Sequence, residues 1–139
     1  MIDSRTAPYA ALTLRLALGI MFVAHGLLKV FVFTLPGTAK FFASVGFPGF
    51  LAYLVTPFEV IAGVLFILGV RTRLVSLASV PLLLGAASVH FGNGWLFSAA
   101  NGGWEYPVFL VVLAIVQALL GDGIYALGPT RPALRTQPA

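Results

Sequence analysis

Residues 19–33 read GIMFVAHGLLKVFVF, an apolar run that keeps a histidine and a lysine four positions apart. In a helix, His25 and Lys29 stack one above the other on one face. A helix this apolar belongs in hydrocarbon, where both side chains are costly unless the rest of the protein receives them. The fold therefore turns on what surrounds this run.

The whole chain has the same character. Of its 139 residues 60% are hydrophobic and 9% charged, with a mean hydropathy of +1.02. Four acids and eight bases are too few to coat a soluble domain of this size, whereas a surface facing lipid needs no such coat. The absence of cysteine excludes disulfides, thiolate catalysis and thiolate metal ligation. A pI near 10 raises the possibility of nucleic acid, but the basic residues form no patch and no nucleic-acid partner is expected. The opening MIDSRTAPYA lacks the features of a cleaved signal peptide, so the N-terminus reads as retained.

Four segments are long and apolar enough to span a core of roughly 30 Å, which takes about 20 helical residues: 12–33, 50–70, 74–91 and 104–127. Between the first two, TLPGTAKFFASVGFPG carries Pro-Gly and Phe-Pro-Gly signals and reads as a loop with an interfacial turn. The second connection, RTR, forces an antiparallel hairpin. The third, GNGWLFSAANGG, suits a loop dipping back onto the membrane surface, and the Pro-rich tail from about residue 129 reads as disordered. Pro81 should bend the third span, and Gly63, Gly69 and Gly85 should permit close helix contacts. The expected fold is an all-α transmembrane four-helix bundle, a single membrane domain over 1–139. With both termini inside, Arg5, Arg71, Arg73, Arg131 and Arg135 share the cytoplasmic side with the inner end of the first span, so the bias of positive charge predicts N-in/C-in.

This topology gives depths. His25 and Lys29 lie about 12 and 6 Å inside the outer end of the first span, and Glu59 lies roughly 14 Å below the same surface. His90 closes the third span there and Glu105 opens the fourth, flanked by Asn93, Asn101, Trp95 and Trp104. The expected partners of His25 and Lys29 are Glu59 and Glu105. Each residue has a plainer reading: Lys29 snorkelling, His90 resting at the interface, Glu105 favoured by a helix N-terminus. Glu59 has none so simple, since a mid-membrane carboxylate facing lipid costs a few kcal/mol. At the opposite end, Arg15 and Asp122 are expected to form a structural salt bridge.

Three stretches together resemble a known family. LRLALGIMFVAHGLLKVF, FEVIAGVLFILGVRTR and SVHFGNGWLFSAANGGWEYPVFLVVLAIVQALLGDGIYALG look like the DoxX family of small bacterial membrane proteins, over 14–127. The family often closes with Gly-Pro-Gly and then Ser-Leu-Asp, where this chain has Gly121-Asp122-Gly123 and no later acid. The resemblance implies a multi-pass protein of the bacterial cytoplasmic (inner) membrane. It also implies kinship with subunits of a thiosulfate:quinone oxidoreductase and with membrane complexes of oxidative-stress defence.

The expected function is a redox-associated subunit that binds a quinone or other small headgroup in an outer polar pocket. His25 and Lys29 would donate hydrogen bonds, and Glu59 or Glu105 would carry protons. With no cysteine for iron–sulfur clusters and no dinucleotide glycine pattern, electrons would come from partner subunits of a membrane oxidoreductase; another copy of this chain is a further possible partner. The alternatives are a small proton-coupled transporter using Glu59 and a structural scaffold. A metal or haem site draws on suitable ligand types, but the histidines lack helical ligand spacing and no metal is assigned.

Overall fold

A computed structural model describes residues 3–128; the tail expectation from 129 onward, with Arg131 and Arg135, lies outside them. Among the described residues the chain forms five α-helices and a short 3₁₀ turn (91–93): α1 (Ala7–Phe31), α2 (Leu35–Ser44), α3 (Leu51–Leu68), α4 (Thr72–His90) and α5 (Glu105–Leu120). Three stretches are long and apolar enough to cross a membrane: α1, α3, and α4 with its 3₁₀ turn. At 1.5 Å per residue α5 covers only about 24 Å.

The first connection and the last helix both depart from expectation. The 34–49 connection contains a ten-residue helix. Its Pro-Gly stands inside the first turn, where proline is tolerated because its missing N–H has no intrahelical role. Thr34 starts α2, accepting a hydrogen bond from the Gly37 N–H (3.2 Å). The last helix also stops at Leu120, not 127, because Gly121 takes a φ of 85° and the chain turns back. Residues 121–128 then return along the α3–α4 turn: Leu127 N–H donates to Leu68 O (3.0 Å), and Arg71 N–H to Gly128 O (2.8 Å).

The polarity of the bundle is inverted relative to a soluble protein. Arg15, Thr56, Glu59, Thr72, Ser76, Ser79 and Gln117 are buried, whereas Phe31, Leu54, Ile61, Leu74, Leu77, Phe109 and Leu119 are exposed. Such a surface suits lipid, where polar groups must find partners inside. Leu18, Phe22, Ala62, Phe66, Leu83, Leu110 and Ala114 form the apolar core, with Phe22 and Phe66 edge to face at 5.8 Å.

Glycine sets how closely α1 meets α3. A Cβ on Gly63 would stand 2.7 Å from both Gly19 O and Val23 N, and one on Gly26 would stand 2.6 Å from Val60 Cγ2. Gly85 differs from expectation: nothing lies within 4 Å of the position its Cβ would take, so it mediates no close contact. Gly69 ends α3 in the left-handed region (φ 69°), with Val70 N–H donating to Leu65 O (2.9 Å) and Gly69 N–H to Phe66 O (3.1 Å).

Arg15, 1% exposed, fills the space beside Gly69. Its guanidinium donates to the carbonyls of Phe66 (3.0 Å), Ile67 (2.7 Å), Ile124 (3.0 Å) and Tyr125 (3.0 Å). The expected salt bridge with Asp122 thus takes another form. Asp122 acts on Arg15 through space, and its Oδ1 accepts the Thr72 N–H (2.8 Å) at the start of α4. The end of α3, short of donors for its last carbonyls, and the returning segment together supply the oxygens that a carboxylate was expected to supply.

Gly63→Ala should lower the thermal unfolding midpoint in detergent, by an amount equivalent to about 1–3 kcal/mol, because the new methyl meets backbone on α1. Gly85→Ala should leave the midpoint unchanged. Equal effects of the two would contradict this account of the seam.

Candidate functional site

The close α1–α3 seam brings Lys29, one turn beyond Gly26, against Glu59. Lys29 Nζ donates to both carboxylate oxygens, at 2.8 Å (Oε1) and 2.7 Å (Oε2). The two side chains are 17% and 7% exposed, so the pair stands inside the bundle. A short bidentate contact is the geometry that makes two charges tolerable away from water.

The two histidines are fixed by backbone instead. His25 Nδ1 lies 2.9 Å from Met21 O, and His90 Nδ1 lies 3.1 Å from both Asn101 O and Gly102 O. A carbonyl only accepts, so each Nδ1 carries a hydrogen, and Nε2 is the ring nitrogen left for another partner. Asn93 Nδ2 also donates to Asn101 O (3.1 Å). Asn101 and Gly102 hold left-handed backbone, φ 69° and 75°, which turns both carbonyls toward the His90 ring.

His25, Lys29, Glu59 and His90 line a chamber of about 190 Å³, with Tyr106 and Leu110 among its walls. The same four side chains stand at the polar part of a larger cleft of about 480 Å³. Its remaining wall is apolar and includes Phe41, Phe42 and Phe47, from α2 and the residues after it, and Leu82 and Val89 from α4. The aromatic wall was missed in the sequence because 34–49 reads as a loop; its Phe-Phe pair five residues ahead of another Phe was the available signal.

Glu105 is not a partner of Lys29 or His25. Its Oε1 accepts the Phe97 N–H (2.7 Å), closing the 94–104 loop over the start of α5. It lines a separate open cavity of about 770 Å³, together with His25, Trp95, Phe97, Tyr106 and Phe109. Trp104 packs edge-on against Trp95 (4.5 Å) and Phe91 (5.8 Å). Tyr106, which sequence reading did not single out, stacks on His25 at 6.5 Å and borders both this cavity and the inner chamber.

The DoxX family model matches residues 10–92. The chain is also 36% identical over 118 residues to "Putative oxidoreductase CatD" of Bacillus subtilis (strain 168), a match covering 85% of this chain and 84% of that relative. No solved structure gives a significant match. The chain belongs to the DoxX family and, with its long apolar helices, is a multi-pass membrane protein.

The Lys29–Glu59 contact makes a distinct stability prediction. Glu59→Leu or Lys29→Met alone leaves one unpaired buried charge and should cost about 3–5 kcal/mol. The double variant removes both charges and should recover most of that loss. Denaturant unfolding in mixed micelles measures the cycle; additive losses would mean that the two groups do not act as a pair.

Proposed function

We propose that this DoxX-family chain is a headgroup-binding subunit of a membrane oxidoreductase complex, holding a quinone-type ring in the chamber of His25, Lys29, Glu59 and His90. The observation that carries the reading is the pair of imidazoles. Each is anchored through Nδ1 to backbone carbonyls, and both rings line the cavity that holds the ion pair. A quinone carbonyl becomes a hydroxyl on reduction, taking one proton at each oxygen with the electron pair. Its site needs groups that hydrogen-bond both forms, and imidazole Nε2 exchanges protons near neutral pH. Lys29 supplies a positive charge where negative charge develops on oxygen.

The adjoining cleft, apolar except at this end, suits an amphiphile arriving from the bilayer. Electrons are assigned to a partner protein, because the chain has no cysteine to hold an iron–sulfur cluster. The name of the Bacillus relative points to the same class of reaction.

The membrane arrangement belongs to the same proposal: α5 serves as a fourth crossing, with both termini cytoplasmic in the inner membrane. The N-terminal turn, the α3–α4 turn and the 121–128 return are hydrogen-bonded to one another through Pro8 O, Leu68 O and Gly128 O. Arg71 and Arg73 lie at this end, opposite the histidines, as the bias of positive charge toward the cytoplasm favours. A reporter active only in the periplasm should work when inserted at 98–103 and fail after Arg135. The reverse pattern would overturn the orientation.

Ligand binding tests the site. Protein in lipid nanodiscs, titrated with decylubiquinone by calorimetry, should bind, and His25→Gln or His90→Gln should each weaken binding about tenfold, the equivalent of one lost hydrogen bond in a dry site. Absence of binding, or equal binding by wild type and both variants, would refute the assignment. A visible absorption spectrum of the same preparation reads out haem directly.

A further inference from the structure

The 770 Å³ cavity on the other side of His25 has a composition of its own. Four aromatic rings, those of Trp95, Phe97, Tyr106 and Phe109, converge there with the His25 imidazole, and the sixth lining residue is Glu105. Aromatic rings gather in belts at membrane interfaces, where an amphipathic ring sits at headgroup level. Here four of them line one open concavity whose charged group is a carboxylate.

The cavity is built in advance of any ligand. Glu105 N–H donates to Trp95 O (3.1 Å) and Trp104 N–H to Gly94 O (3.1 Å), which ties the loop to the first turn of α5. Glu105 Oε1 accepts the Phe97 N–H, while Oε2 has no protein partner among the described residues. Phe97 packs edge-on against Tyr106 at 6.2 Å, and Tyr106 stacks on His25. Aromatic faces carry negative potential and attract cations, most strongly where water is displaced, and an alkylated ammonium suits them better than a small hydrated ion. An anionic ligand would be repelled by the carboxylate, whereas a cation is drawn both to it and to the ring faces.

From this we infer a second binding site, in which Trp95, Phe97, Tyr106, Phe109 and the free oxygen of Glu105 receive an alkylammonium headgroup. The site shares the His25 and Tyr106 walls with the Lys29–Glu59 chamber but contains neither member of that pair, and its occupancy does not depend on the redox reading. Two sources supply this chemistry: the ammonium of a lipid headgroup and a free organic amine.

The two tryptophans of the chain report on the site, since Trp95 lines it and Trp104 packs against Trp95. Tryptophan emission is followed in phosphatidylglycerol nanodiscs during titration with choline and, separately, with 3,3-dimethylbutan-1-ol, its uncharged isostere. Choline should give a saturable change and the alcohol none over the same range. Glu105→Gln keeps a side-chain oxygen to accept the Phe97 N–H, so the loop should hold; it and Phe109→Leu should each weaken choline binding about fivefold. Loss of the choline response in discs containing phosphatidylethanolamine identifies the lipid headgroup as the occupant, and an unchanged response identifies a free amine. Equal responses to choline and the alcohol, no saturable response to choline, or full affinity in Glu105→Gln would overturn the inference. Decylubiquinone binding by Glu105→Gln, measured in parallel, keeps the fate of this site distinct from that of the inner chamber.

Discussion

Everything else in the molecule depends on the approach of α1 to α3 at backbone distance. Between them Gly19, Gly26 and Gly63 leave no room for a side chain. In lipid no hydrophobic effect presses helices together, so close packing of small residues has to carry the contact. The seam also sets what its two ends can do. Beyond Gly26, Lys29 reaches Glu59 with a bidentate contact at 2.7–2.8 Å. Beyond Gly19, Arg15 reaches the last carbonyls of α3, and a Cβ on Gly69 would stand 2.6 Å from its Nη1. Moving the helices apart by one methyl would loosen both cationic contacts at once.

The two ends treat a buried cation differently. Arg15 is surrounded by carbonyl dipoles drawn from the end of α3 and the returning 121–128 segment. The planar guanidinium can serve several acceptors at once, so it ties α1 both to the end of α3 and to the returning segment. It lines none of the three cavities at the opposite end of the bundle. Lys29 is held by one carboxylate, beside a cavity, with two ring nitrogens left over. The first arrangement is closed and the second open.

Helix content was legible in the sequence because apolar runs of this length have few other uses. Position along each helix was legible too: counting residues at 1.5 Å each set His25, Lys29, Glu59 and His90 at compatible depths, and they share one chamber. Rotation about the helix axis was not. Glu105 has the right depth but opens α5 on the far side of His25, where the Phe97 N–H takes its oxygen. Counting likewise extended the last span through Gly121, because a hydropathy window does not register a positive φ. Arg15 and Asp122 were matched by charge, and the competing acceptors, helix-end carbonyls, carry no signal in residue type. The helix at 35–44 was hidden by reading Pro-Gly as a breaker, although proline in a first helical turn is favourable.

A salt bridge alone would not require the histidines. With both carboxylate oxygens on one ammonium, the Lys29–Glu59 pair already meets much of its own need, and neither ring hydrogen-bonds to it. His25 is anchored to its own helix, whereas His90 is anchored by a loop whose left-handed residues at 101 and 102 are disfavoured for ordinary side chains. Asn101 and Gly102 are residue types that tolerate that conformation. A neutral aromatic or aliphatic side chain would fill either position without demanding such anchors. The geometry thus contains more than charge neutralisation requires: two rings whose Nε2 atoms have no hydrogen bond among the described residues, lining the same chamber as a positive charge that is already balanced. A structural ion pair has no need of that surplus, which lies at the end of the bundle where the three cavities are.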